Sequence, residues 1–145
     1  MVAFGFRTHT ESGAQQGLLL TKALTLPSLA SYETRVSDWT PYLPQLRRVG
    51  EQLLQMHLTR WQHGALFPAH LFVDLATGDM RLIDFERARK RFSAQWAAYA
   101  DFTQFIRRSA WLPDNALHAL LESHRVKMPR LLTRLARRFP DRFKK

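Results

Sequence analysis

The sequence predicts an α+β domain that is mainly helical, with a few short strands. Three observations carry this expectation. Apolar residues recur at spacings of three and four in several stretches that open on proline, as helices with one buried face require. The β-leaning runs are short, and the Thr77-Gly78-Asp79 turn joins two of only three or four residues. The 145 residues are the length of one ordinary domain, enough to bury about two-thirds of the unfolded surface.

Residues 3–7 and 16–24 lean toward β structure and flank a polar turn containing Ser12-Gly13, so a hairpin is expected there. A mixed, serine-containing connector follows over 27–40. Pro41 and Pro44 then open a helix to about Arg60, with Leu46, Val49, Leu53, Leu54 and Met56 on its inner face and His57 beside them. Next come a loop over 62–70, a strand at 71–73, a turn, and a strand at 80–83, the one small two-stranded unit expected in this half. Ser93 is a suitable N-cap for a helix to about Arg108, whose inner side is read as Trp96, Tyr99, Ala100, Thr103 and Ile106. Pro113-Asp114 and Pro129 start two further helices, through Leu117, Leu120 and Leu121, and through Leu131, Leu132, Leu135 and Phe139.

Composition narrows the function classes. With no cysteine, disulfides and thiolate metal sites are excluded and a reducing cytoplasm is the default expectation. The first residues carry no signal-peptide pattern, and the longest purely aliphatic run, Leu18 to Leu20, is far short of a membrane span. A net charge of +10 favours anionic partners: nucleic acid, acidic lipid headgroups or phosphorylated sugars. The aromatics fall mostly at core-like helix positions, which argues against a base-stacking surface and hence against nucleic acid. No zinc-type histidine cluster, Gly-x-Ser-x-Gly or Walker loop occurs.

The informative window is 63–85. It reads His63-Gly64-Ala65, four residues, His70, an apolar strand, a turn, a second apolar strand and Asp84-Phe85. In protein kinases the same order is His-Arg-Asp, four residues, a metal-binding asparagine, two strands and a metal-binding Asp-Phe. That spacing lets one carboxylate stand by the acceptor hydroxyl while two further ligands hold Mg2+ against the phosphates. Here His63 takes the loop-organising place, His70 the asparagine place and Asp84 the second metal-binding place, but Ala65 stands where the catalytic aspartate belongs.

The stretch from Arg60 to Arg89 resembles the lipopolysaccharide core kinases of the Kdo/WaaP type, most closely their InaA-like branch, which shares a histidine at the place of His70 and a basic run like that of Asp84 to Arg89. The resemblance implies a protein-kinase-like C-lobe over 40–145, with 1–26 a remnant of N-lobe and hinge strands, in a single domain of 1–145. In it 18–24 looks like the hinge strand, and Asp101 resembles the carboxylate of the buried C-lobe helix that accepts loop amides as structural support. No Gly-x-Gly is present, and Lys22 lies on the apparent hinge strand, so a glycine-rich lid and a phosphate-pairing lysine are expected to be absent. What the resemblance implies for function is ATP- and Mg2+-dependent phosphorylation of a core sugar at the inner face of the cytoplasmic membrane, impaired here by Ala65. A non-catalytic pseudokinase or truncated remnant that binds a partner or an anionic surface is the alternative, and a basic nucleic-acid-binding domain a third reading.

Each candidate has a plainer explanation beside it. Asp84 ends an apolar strand, where an unpaired carboxylate is costly, so a metal or a salt bridge to Arg87 or Arg89 is expected. His70 is either a metal ligand, through a nitrogen poorly suited to Mg2+, or a packed, hydrogen-bonded histidine. Arg87, Arg89, Lys90 and Arg91 would border an acceptor site and hold an anionic sugar phosphate or lipopolysaccharide precursor. The tail's cations, with leucines 131, 132 and 135 and Phe139, form either a stripe for peripheral contact with an anionic membrane or a helix packed on the body with a solvated basic face. An apolar surface left where an upper lobe would sit favours self-association.

Overall fold

The computed structural model describes strands Ala3–Thr8 and Gln15–Leu20, through their backbone, and residues 24–144. β1 (Ala3–Thr8) and β2 (Gln15–Leu20) pair antiparallel from Ala3 opposite Leu20 to Thr8 opposite Gln15, the hairpin expected from the sequence. The intervening turn and residues 21–23, including Lys22 of the expected hinge strand, lie outside the described residues.

The rest is built around α1 (Leu43–Leu58), which follows a short 3-10 turn at Thr40–Tyr42. Its buried residues Leu46, Val49, Leu53, Leu54 and His57 are the face predicted from the apolar spacing. α3 (Asp114–Lys127) packs along it, burying Leu117, Leu120 and Leu121. The two helices approach most closely at Gly50, where an added Cβ would overlap the carbonyl oxygen of Leu120. The connector before α1 is less irregular than expected: Leu29 is fully buried, Ser28 bridges to Phe72, and the Val73 amide donates to the Pro27 carbonyl at 3.0 Å.

After α1 come β3 (Trp61–Gln62), β4 (Leu71–Val73) and β5 (Met80–Leu82), then β6 (Arg89–Lys90). β4 and β5 form the expected two-stranded unit. β3 and β6 form another that the sequence reading missed, since a strand of two residues has no measurable alternation. It ties the end of the 63–85 window back to its beginning, so the loop between β3 and β4 is closed at both ends.

α2 (Ala94–Arg108) starts where predicted, with Ser93 Oγ accepting the Trp96 amide at 3.1 Å. Its predicted inner side holds fully only at Ile106: the buried positions are Ala97, Ala98, Asp101, Phe102, Phe105 and Ile106, Tyr99, Ala100 and Thr103 are half-buried beside them, and Trp96 is 43% exposed. α4 (Pro129–Arg138) buries Leu131 and Leu135 against the body. Of the two readings of the tail stripe, packing on the body therefore holds, and these leucines are not free to enter a membrane. Among the described residues no helix is long and apolar enough to cross one.

Candidate active site

The 63–85 window is braced from below by Asp101. Its carboxylate is completely buried and accepts the amides of His63 at 2.7 Å and Gly64 at 2.9 Å, with His57 Nε2 at 3.1 Å. Three donors on one carboxylate satisfy most of its lone pairs, which makes its burial tolerable. Gly64 has a positive φ of 84°, and a side chain there would run into the backbone of Arg87. Glycine thus permits both the turn and the close approach of the segment after Asp84-Phe85.

The network continues inward. With His57 Nε2–H given to Asp101, its Nδ1 accepts from His124 Nε2, 2.9 Å away. His124 is fully buried, its Nδ1 has no partner among the described residues, and burial together with the neighbouring His57 lowers its pKa to about 3. It is therefore neutral. These histidines belong to α1 and α3, so the loop is tied through Asp101 of α2 to three helices at once.

His63 braces the other side. Its Nε2–H donates to the Ile83 carbonyl at 2.9 Å, and its Nδ1 accepts the Ala65 amide at 3.2 Å. The second bond needs the neutral ring, since a protonated Nδ1 cannot accept. Burial lowers its pKa, partly opposed by the Asp101 charge and the Ile83 hydrogen bond. This side chain fixes the residue immediately before Asp84 and has no free nitrogen for chemistry.

Asp84 adopts left-handed backbone angles, φ 65° and ψ 59°, uncommon for a non-glycine residue and a form of strain that clusters at functional sites. The strain turns its carboxylate outward, and the side chain is 37% exposed. The salt bridge to Arg87 or Arg89 expected from the sequence is absent among the described residues, and the turn at 84 carries the carboxylate out of the strand toward water, where it needs no buried partner. The nearest ionisable group is His70, whose Nδ1 lies 3.5 Å from Asp84 Oδ2.

The His70 Nδ1–H donates to the Ala65 carbonyl at 2.9 Å, leaving Nε2 as its available ligand atom. Asp84 and His70 thus lie side by side, through the Nδ1 edge of the ring. Among the described residues there is no cluster of three metal-binding side chains. Mg2+ is commonly held by one or two carboxylates with substrate phosphates and water completing the shell, so Asp84 fits that ion, whereas the His70 nitrogen is a poor ligand for it.

Ala65 is 2% exposed and supplies no proton acceptor. The basic run does not form one cluster. Arg87 lies against Gly64, Arg89 reaches Gln62 Oε1 at 3.4 Å, Lys90 pairs with Trp61 in the β3–β6 ladder, and Arg91 turns to the Trp96 ring at 5.9 Å. Arg89 and Lys90, neighbours on a strand, face opposite ways, whereas Lys90 and Arg91 line one hollow. The buried His57–His124 contact was missed because no short-range pattern links residues so far apart in the chain.

Comparison with known proteins gives the fold and the family. Among solved structures the chain is similar to one described as WaaP in complex with acyl carrier protein, with a TM-score of 0.59 at 17% identity, over 99% of this chain and 69% of that one. At this identity the likeness is one of fold, and it supports the kinase-like, mainly helical α+β class. No curated protein matches the sequence. The profile of the lipopolysaccharide kinase (Kdo/WaaP) family matches residues 1–124, most of the chain, and this protein belongs to that family.

Proposed function

We propose that this chain is a lipopolysaccharide-kinase-type protein that retains the metal-binding part of the site, with Asp84 as the Mg2+ ligand, and has an impaired proton-transfer side. The observation that carries the reading is the strained, outward-turned Asp84 on a segment pinned by His63 and closed by the β3–β6 pair. Mg-ATP, when bound, supplies the transferable phosphoryl group and the neutralising charge. Asp84 holds the metal, Asp101 and His63 fix the loop that faces it, and His70 keeps the Ala65 carbonyl in place. The acceptor, a core-sugar hydroxyl by family, finds no carboxylate at residue 65. Loss of a positioned general base costs about 100- to 10,000-fold in rate.

The buried methyl of Ala65 favours a second reading, a non-catalytic pseudokinase that binds nucleotide or an anionic partner without transfer. In either case the proposed place of work is the cytoplasmic side of the inner membrane. Calorimetry with Mg-ATP on the full chain, with Asp84→Ala as control, tests the site. Binding lost in the variant supports the assignment of Asp84, and phosphorylation of core-sugar acceptors then separates a slow kinase from a pseudokinase. No binding at millimolar Mg-ATP overturns the nucleotide site and leaves a kinase-like scaffold.

A further inference from the structure

The strongest uncommitted feature is a basic and aromatic surface made by β6, the start of α2 and the outer face of α4. Arg60, Lys90, Arg91 and Phe92 line an open hollow of about 330 Å³. Trp96, Tyr99, Arg134, Arg137 and Arg138 line a second, of about 440 Å³. The two are joined through Trp96, whose ring has the guanidinium groups of Arg91 and Arg134 each 5.9 Å from its centroid. Six cations thus lie along one strip, and among the described residues none of them has a carboxylate partner, although Arg48, Arg125, Arg142 and Lys144 all do. Phe92 projects from the strip fully exposed.

We infer that this strip docks the protein on an anionic membrane surface, with Phe92 inserted among the headgroups and the arginines set against lipid phosphates. Uncompensated cations beside exposed aromatics are what such an interface recognises: the charge draws the protein to acidic lipid and the ring anchors it. The shallow hollows suit a broad charged surface better than an enclosed small anion. Single-stranded nucleic acid would stack bases on free aromatic faces, whereas Trp96 is already engaged by guanidinium groups. The surface corrects the sequence reading of the aromatics as core residues, and it replaces the buried leucines of α4 as the membrane contact. It rests on charge and exposure alone, so it stands or falls independently of nucleotide binding at Asp84.

The test is co-sedimentation of the full chain with vesicles of phosphatidylcholine alone and of phosphatidylcholine with phosphatidylglycerol, at low and high salt, with single-stranded RNA as competitor. Binding is expected only to the anionic vesicles and should weaken with salt. Each basic residue near an acidic surface contributes about fivefold in affinity, so R134E/R137E together should lower binding by about 25-fold or more. Phe92→Ser should lower it several-fold, and Arg35→Glu, which lines neither hollow, should leave it unchanged. All four residues are exposed, and far-UV circular dichroism confirms folding of each variant. Equal binding to neutral vesicles, no binding to anionic ones, indifference to the Arg134, Arg137 and Phe92 changes, or displacement by RNA at lower concentration than lipid would each overturn the inference.

Discussion

Replacing Asp101 by asparagine keeps the side-chain shape and removes only one oxygen's acceptor capacity and the charge, so it isolates what the carboxylate does. In the native site Oδ2 takes the His63 amide and His57 Nε2–H, and Oδ1 takes the Gly64 amide, all within 3.1 Å. An asparagine can present its oxygen to only one side, which forces its NH2 against at least one buried N–H. A buried donor left without an acceptor costs about 1 to 3 kcal/mol. Asp101→Asn should therefore destabilise the protein by about 2 kcal/mol or more, while Asp101→Ala, which strands all three donors, should cost more, about 3 kcal/mol at the least if each stranded donor costs about 1 kcal/mol or more. Urea unfolding followed by circular dichroism measures both, and amide hydrogen exchange at His63 and Gly64 locates the effect. If the asparagine variant stays within about 0.5 kcal/mol of the parent and those two amides keep their protection, Asp101 does not brace the loop as described.

Two further predictions concern the frame around the site. Gly64→Ala meets both a positive φ and the Arg87 carbonyl, so it should destabilise the chain by about 1 to 3 kcal/mol and loosen the Asp84 segment, and Gly50→Ala should cost a similar amount by pushing α1 from α3. In the latter variant Mg-ATP affinity, if present, should be less affected than in the former, which calorimetry can compare. His124 gives a pH dependence of known sign: its native pKa is lowered to about 3 from an unfolded value of 6.5, so between those values the unfolded state binds more protons. Stability should therefore fall as pH drops from 6.5 toward 3, by up to about 1.4 kcal/mol per pH unit from this group. His124→Gln should flatten that slope in urea titrations run at successive pH values, and an unchanged slope would count against a buried neutral His124.

Sequence determined the parts of this protein that depend on local pattern. The spacing of Leu46, Val49 and Leu53, the prolines before α1, α3 and α4, the Ser93 cap and the order of His63, His70 and Asp84 are all written within a few turns of chain, and the helices and site order follow from them. Asp101 was placed by its family position, since a lone aspartate in a helix has no distinguishing local signal. Tertiary structure decided which face of α2 is inside, because the large rings of Trp96 and Tyr99 suggested one face while the small Ala97 and Ala98 let the helix pack closely on another. It also decided that Asp84 turns outward, that Arg87 and Arg89 part from Lys90 and Arg91, and that Arg134 meets Trp96 beside Arg91 although it is far from both in sequence. Periodicity reports how one segment divides between core and water, whereas the partners of a side chain depend on which other segments the packing brings beside it.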